Sequence, residues 1–240
     1  MVSIIVKEEN IAKIKNFAKD MAEKGYQKEK RTGGTEIRSK GQIYNNILEG
    51  RFAEYAFYQH VTSIGRGYIT KPNLEEWARG EWDEGIDFKQ KFHNHHYITE
   101  IKASSNISRL ILLTAGDLEL NEKGKEIFEH GESCPDFIIG AKVDLETKNV
   151  EFAGFLYKAD LRKALINPEE YLWKKGEFIP GTKKRLDADN YIWVYPQDSS
   201  KVNKIGSRHV NKTKMFPDHR RVINVFLQSN TDDFLNGGYF

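Results

Sequence analysis

Gly85-Ile86-Asp87-Phe88-Lys89-Gln90-Lys91-Phe92-His93-Asn94-His95-His96-Tyr97-Ile98-Thr99-Glu100-Ile101-Lys102-Ala103-Ser104 is the most informative stretch of this 240-residue chain. Ile86 to Phe92 and His96 to Ala103 read as two strands, rich in the aromatic and β-branched residues that suit a pleated surface, with a polar turn between them. Side chains leave a strand on alternate faces, so Glu100 and Lys102 share one face while Ile101 and Ala103 share the other. Antiparallel pairing brings Asp87 beside Glu100. Two carboxylates meeting a lysine form a hard-oxygen set suited to Mg2+, which binds through one or two carboxylates and completes its shell with water and substrate phosphate. Such an ion polarises a phosphodiester and helps generate hydroxide, while the lysine orients or deprotonates the attacking water. The plainer alternative is a surface hairpin on which Glu100 and Lys102 pair in solvent.

Asp87 followed at hairpin distance by Glu100-Ile101-Lys102 resembles the PD-(D/E)xK signature of restriction endonucleases and related DNA enzymes, with Ile86 standing where the motif has proline. The resemblance spans roughly Leu48 to Val143. It implies a restriction-endonuclease-like α/β core, a central mixed sheet flanked by helices. It also implies that Asp87, Glu100 and the backbone carbonyl of Ile101 hold Mg2+ (Mn2+ substituting), with Lys102 serving the nucleophilic water. Members of this superfamily carry a helical glutamate upstream, often after a glycine. Gly50-Arg51-Phe52-Ala53-Glu54 matches that setting, which makes Glu54 a catalytic candidate and Glu49 its competitor. Asp83 is a substitute for Asp87, but it precedes Gly85, outside the strand.

Bulk properties leave this reading open. The formal net charge is +2, with 30% charged and 39% hydrophobic residues, an ordinary composition for a folded domain. Contact with nucleic acid therefore rests on local basic patches. The single cysteine, Cys134, forms neither an internal disulfide nor a thiolate cluster, and it points to a reducing, cytoplasmic setting. No apolar run is long enough to span a bilayer, and the N-terminus has no signal-peptide pattern. His93, His95 and His96 read as a polar hairpin tip, since neighbouring residues on a strand point apart and no further ligand cluster accompanies them.

Along the chain, Glu8 to Glu23 reads as an amphipathic helix with Ile11, Ile14, Phe17, Ala18 and Met21 on one face. Gln27 to Lys40 is a glycine-containing basic loop in which Lys30, Arg31 and Arg38 are candidate phosphate contacts. Gln42 to Val61 is a second helix, and Thr62 to Glu84 a connector. After Lys102, Ser104, Ser105 and Asn106 are small polar residues of the kind that lie near DNA in the superfamily. Ile107 to Leu120 is ambiguous between helix and strand, and relatives in the superfamily often send a helix across the sheet here. Asp136 to Asp144 and Asn149 to Tyr157 read as neighbouring strands. Asp160 to Leu165 and Pro168 to Trp173 read as short helices, Tyr191 to Tyr195 as a strand and Val222 to Leu227 as a closing one.

Ser199 to Arg221 is the most basic segment, and Arg208, His209, Asn211, Lys212, Lys214, Arg220 and Arg221 are its candidate DNA contacts. The whole is read as one nuclease domain, 1–240, with a core at about 41–157 and DNA-contacting elements at about 158–240.

The expected activity is Mg2+-dependent endonucleolytic hydrolysis of double-stranded DNA. The closest functional class is a sequence-specific type II restriction enzyme that leaves 5′-phosphates and works as a homodimer on a symmetric target. The alternatives are a structure-specific or processing nuclease of the junction-resolvase or phage-exonuclease type, a toxin-like RNase, or a non-cleaving nucleic-acid-binding protein on the same scaffold.

Overall fold

A computed structural model describes residues 2–24, 37–65, 68–74, 87–92, 95–120, 126–128, 132–133, 135–198 and 214–215. The chain opens with strand β1 (Val2–Ile5) and helices α1 (Glu8–Lys24) and α2 (Lys40–Ser63). Strands β2 (Tyr68–Ile69), β3 (Phe88–Phe92), β4 (His95–Ser105) and β5 (Leu110–Thr114) follow. Three short strands, β6 (Leu118–Leu120), β7 (Glu126–Phe128) and β8 (Glu132–Ser133), precede the long pair β9 (Phe137–Asp144) and β10 (Asn149–Tyr157). Helices α3 (Lys158–Ile166) and α4 (Pro168–Tyr171) lead to β11 (Leu172–Trp173), β12 (Asn190–Val194) and β13 (Lys214–Met215).

Six strands form a mixed sheet in the order β1-β10-β9-β4-β3-β2, antiparallel except where β4 runs parallel to β9. Helices flank it, so the expected α/β class with a central mixed sheet is borne out. α1 buries the face read from its spacing, Ile11, Ile14, Phe17, Ala18 and Met21. α2 starts earlier than its apolar pattern suggests because Ser39 caps it. The Gln42 N–H donates to Ser39 Oγ at 3.2 Å, and Gln42 Oε1 accepts from the Ser39 N–H at 2.7 Å. Both helices pack on one face of the sheet, where Phe52, Tyr55 and Phe57 meet Phe88, Ile101, Phe137, Ile139 and Phe152. Phe57 and Phe152 meet edge-on, with ring centroids 5.8 Å apart. A bulge between Phe152 and Gly154 switches the inward parity of β10, so that Phe152 and then Phe155 both reach this core.

The opposite face carries a second layer of strands. β12 pairs with β5 along its whole length, and also with β11 and β13. Ile111, Leu113, Tyr191 and Trp193 turn inward onto Ile138, Leu156 and Leu161. Leu110, Ile192 and Val194 turn outward onto Trp173 and Leu186. This is why Leu110-Ile111-Leu112-Leu113 is a strand: a layer covered on both sides needs a continuous apolar run, not a helical stripe. The run that is ambiguous between helix and strand in the sequence thus resolves as strand. Among the described residues between β4 and β9 there is no α-helix of the kind superfamily members often send across the sheet, only strands and a short 3-10 turn at Ala115–Asp117. Residues 168–173 also differ from expectation, since the helix ends at Tyr171 and Leu172–Trp173 pairs with β12. Among the described residues, no helix is long and apolar enough to cross a membrane.

Candidate active site

The β3–β4 hairpin sets the geometry. Phe88 pairs with Thr99 and Lys89 with Ile98, so Asp87, one step before the ladder, falls opposite Glu100. Asp87 Oδ2 accepts the Ile101 N–H at 2.6 Å and prolongs the hairpin by a side chain where the backbone pairing stops. The N–H and C=O of one residue point to the same edge of a strand, so the Ile101 carbonyl also faces the Asp87 side. Asp136 does the same at the other edge of β4, where its Oδ2 accepts the Ile98 N–H at 2.9 Å.

Alternation then separates two kinds of surface. Tyr97 and Ile101 enter the core beneath α2, and Thr99 on the same side accepts a hydrogen bond from Gln90 Nε2 at 3.0 Å. Glu100, Lys102 and Ser104 leave β4 on the other side, the side of the second layer. Lys102 Nζ lies 2.7 Å from Glu100 Oε1, with the glutamate side chain 8% and the lysine side chain 25% exposed. The pair is thus drawn out of bulk water, unlike the solvated hairpin of the plainer reading. Gly140 stands beside Lys102 in the parallel ladder, and a strand glycine leaves room for close approach.

Further along the same face, Ser104 Oγ and Tyr195 Oη lie 3.2 Å apart. Burial, before any other cause, pushes the Tyr195 phenol well above its ordinary pKa. Lys142, the ladder partner of Ser104, donates to Asp198 Oδ2 at 2.8 Å, with the aspartate buried and the lysine half-buried. The sequence reading missed this pair, because two charges 56 positions apart carry no local signature.

Glu54 belongs to α2, on the helix-bearing side of β4, and is buried as its neighbours suggest. Arg51, one turn earlier, donates to its carboxylate and stacks on Phe17 with the guanidinium carbon 5.2 Å from the ring centroid. The missed signal is an i, i+3 pair of opposite charge. Glu49 is half-buried, and loss of water raises its pKa.

The expected DNA contacts divide. The Ser104 hydroxyl is turned inward to Tyr195, whereas Ser105 is half-buried and Asn106 exposed. Asn106 hydrogen-bonds Asp144, whose pKa is lowered chiefly by the Thr147 N–H and in part by Asn106. Arg38 is half-buried just before α2. Lys214 reaches Glu170 at 3.6 Å and sits 4.6 Å above the Tyr171 ring, so it works inside the fold as part of β13. Ile86, Cys134, Lys30, Arg31, Arg208, His209, Asn211, Lys212, Arg220, Arg221 and the strand read at 222–227 lie outside the described residues.

Among the described residues, no group of three or more His, Cys, Asp or Glu side chains is arranged around one point. The hairpin register sets the Asp87 and Glu100 carboxylates at opposing positions, and Mg2+ asks no more of a protein than one or two carboxylates. Compared with known proteins, the chain matches no family model, no curated protein and no solved structure.

Proposed function

We propose that this chain is a Mg2+-dependent endonuclease that hydrolyses phosphodiester bonds of double-stranded DNA. Its narrowest reading is a sequence-specific type II restriction enzyme of the PD-(D/E)xK superfamily, leaving 5′-phosphates and acting as a homodimer. One observation carries this reading. Asp87 is bonded to the Ile101 N–H directly across from Glu100, and Lys102 shares the face and a 2.7 Å contact with Glu100. The order of elements supports a restriction-endonuclease-like core: helix α2, an antiparallel hairpin, then a third strand parallel to the second.

Asp87, Glu100 and the Ile101 carbonyl are hard oxygen donors of the kind Mg2+ or Mn2+ takes, and they would hold the ion. When bound, the ion supplies Lewis acidity to the phosphate oxygens and makes water more acidic. The chain's own groups do the rest. The Ile101 N–H fixes Asp87 against the strand, which pre-sets a carboxylate that would otherwise have to be ordered on binding. Glu100 holds the Lys102 ammonium, which would position the attacking water by donating a hydrogen bond to its oxygen. Water oxygen attacks phosphorus in line and gives its proton to solvent. The bond to the 3′ oxygen breaks, that oxygen takes a proton from solvent, and the products are a 3′-hydroxyl and a 5′-phosphate.

Incubation of supercoiled plasmid with Mg2+, and separately with EDTA, tests this directly. Discrete fragments that require the metal are expected. A smear points to an exonuclease or unspecific nuclease, and a gel shift without cutting points to a binding protein. Glu100→Ala and Lys102→Ala, made singly, should bind DNA and fail to cut it. Wild-type cutting by either variant ends the assignment.

A further inference from the structure

β11 and β12 are joined by a well-formed hairpin, Lys174-Lys175-Gly176-Glu177-Phe178-Ile179-Pro180-Gly181-Thr182-Lys183-Lys184-Arg185-Leu186. Its tip is a β-turn with Pro180 at the second position and Gly181 at the third. Gly181 has φ +76°, and the Thr182 N–H closes on Ile179 O at 3.0 Å. These are the residues a type II turn asks for. Below the tip, Ile179 N–H bonds Lys184 O and Leu186 N–H bonds Glu177 O, both at 2.8 Å, and Phe178 bridges Arg185. Leu186 and Ile179 root the hairpin in the outer apolar cluster of the second layer.

The charges are sorted by sign. Two acids are turned to the base of the hairpin, where they hold its backbone. Asp189 Oδ1 accepts the Lys175 N–H at 2.8 Å and its Oδ2 the Lys174 ammonium at 2.9 Å, while Glu177 accepts the Lys174 N–H at 2.6 Å. The backbone bond from Lys175, chiefly, and the Lys174 ammonium hold the Asp189 carboxyl below its ordinary pKa. Lys175, Lys183, Lys184 and Arg185 are all exposed. Arg185 lies 4.0 Å above the Phe178 ring and donates to Gly176 O at 2.6 Å, which stiffens the outward surface. The Lys183 and Lys184 ammonium groups have no hydrogen-bond or ion-pair partner among the described residues.

We propose that the 174–186 hairpin is a phosphate-contacting surface for duplex DNA, separate from the Asp87–Glu100–Lys102 site. This rests on the nuclease reading and adds a preformed, sequence-independent contact that holds the duplex on the protein. The backbone of the hairpin is already hydrogen-bonded and presents two unpartnered ammonium groups, so the backbone itself needs no ordering on binding. Neutralisation of phosphates by such groups releases counterions and makes affinity fall steeply with salt.

The test is equilibrium binding of a random-sequence duplex in EDTA, from about 50 to 200 mM salt, for wild type and the Lys183→Ala/Lys184→Ala variant. Loss of two phosphate contacts lowers the log–log salt slope by about two, so the affinity advantage of wild type shrinks about tenfold across that range. The thermal midpoint of the variant should stay unchanged, because both side chains are exposed. A Lys13→Ala/Lys15→Ala variant, from the exposed side of α1, should keep the wild-type slope. An unchanged slope at the hairpin, or an equal drop in the α1 control, overturns the proposal. Plasmid cutting by the same wild-type preparation separates the two readings. Cutting with an unaltered hairpin slope sinks the hairpin alone. Metal-independent binding without cutting sinks the nuclease, and the slope still decides the hairpin. No duplex binding at low salt sinks both.

Discussion

The two faces of the central sheet come from the same strands and alternate residues, yet they are built on different chemistry. Beneath the helices lie Phe88, Ile101, Phe137 and Phe152, and the polar pair there, Gln90 with Thr99, is satisfied internally. The ion pair of Arg51 with Glu54 is on this side too, but it lies within α2 and not on the sheet. On the other face sit Glu100 with Lys102, and Lys142 with Asp198, each charge matched by its opposite in a largely dry setting. Buried ion pairs give little stability, because the cost of leaving water offsets their attraction. The sheet itself thus carries its ion pairs on one face and its aromatic rings on the other. If the proposed nuclease reading holds, the helix side serves stability and the second-layer side chemistry, and that division is the one to attack.

The strongest attack removes the charges without changing the volume. Glu100→Gln combined with Lys102→Met should cut DNA at least about 10²-fold more slowly, the lower range for lost acid–base assistance. Its thermal midpoint should be equal to wild type or higher, since an apolar or neutral substitute for a buried pair is often neutral or stabilising. Retained cutting together with a lower midpoint reverses the roles given to the two faces.

The converse change is Phe152→Ala on the helix side, 2% exposed in the parent. It should cost about 3–5 kcal/mol in denaturant unfolding and leave the rate of cutting by the folded fraction intact. A loss of rate without loss of stability would tie that face to catalysis.

The smallest effect concerns Glu49, the competitor of Glu54. Burial raises its pKa in the folded chain, so the folded state binds that proton more tightly than the unfolded one. Stability from this group is complete below the ordinary glutamate pKa of about 4.3 and is lost as pH rises through the elevated folded value. Glu49→Gln should then be slightly more stable than wild type near pH 7, with the difference vanishing toward pH 4. Thermal midpoints across that range measure it, and a constant offset would show that Glu49 is solvated.

How far these features were readable differs by residue. The stripe of α1 and the Asp87, Glu100, Lys102 set were visible because each depends on spacing within one segment or across one hairpin. The Ser39–Gln42 capping box and the Pro180-Gly181 turn were equally local and went unread, though both carry standard sequence signals. The Leu110–Leu113 run stayed ambiguous because a short apolar run fits a buried helix or a strand, and only its cover on both sides settles which. Lys142 and Asp198 were invisible as a pair, as was the turning of Lys214 into the fold.

Local periodicity determined the helices, the hairpin and the side of β4 from which its charges leave, since 3.6 and 2 residue repeats are properties of the backbone alone. The parallel docking of β9 on β4, the strand layer over the charged face and the drying of Glu100 and Lys102 were settled by long-range packing. Which surface covers which depends on the whole chain closing at once, and no window of neighbouring residues contains it.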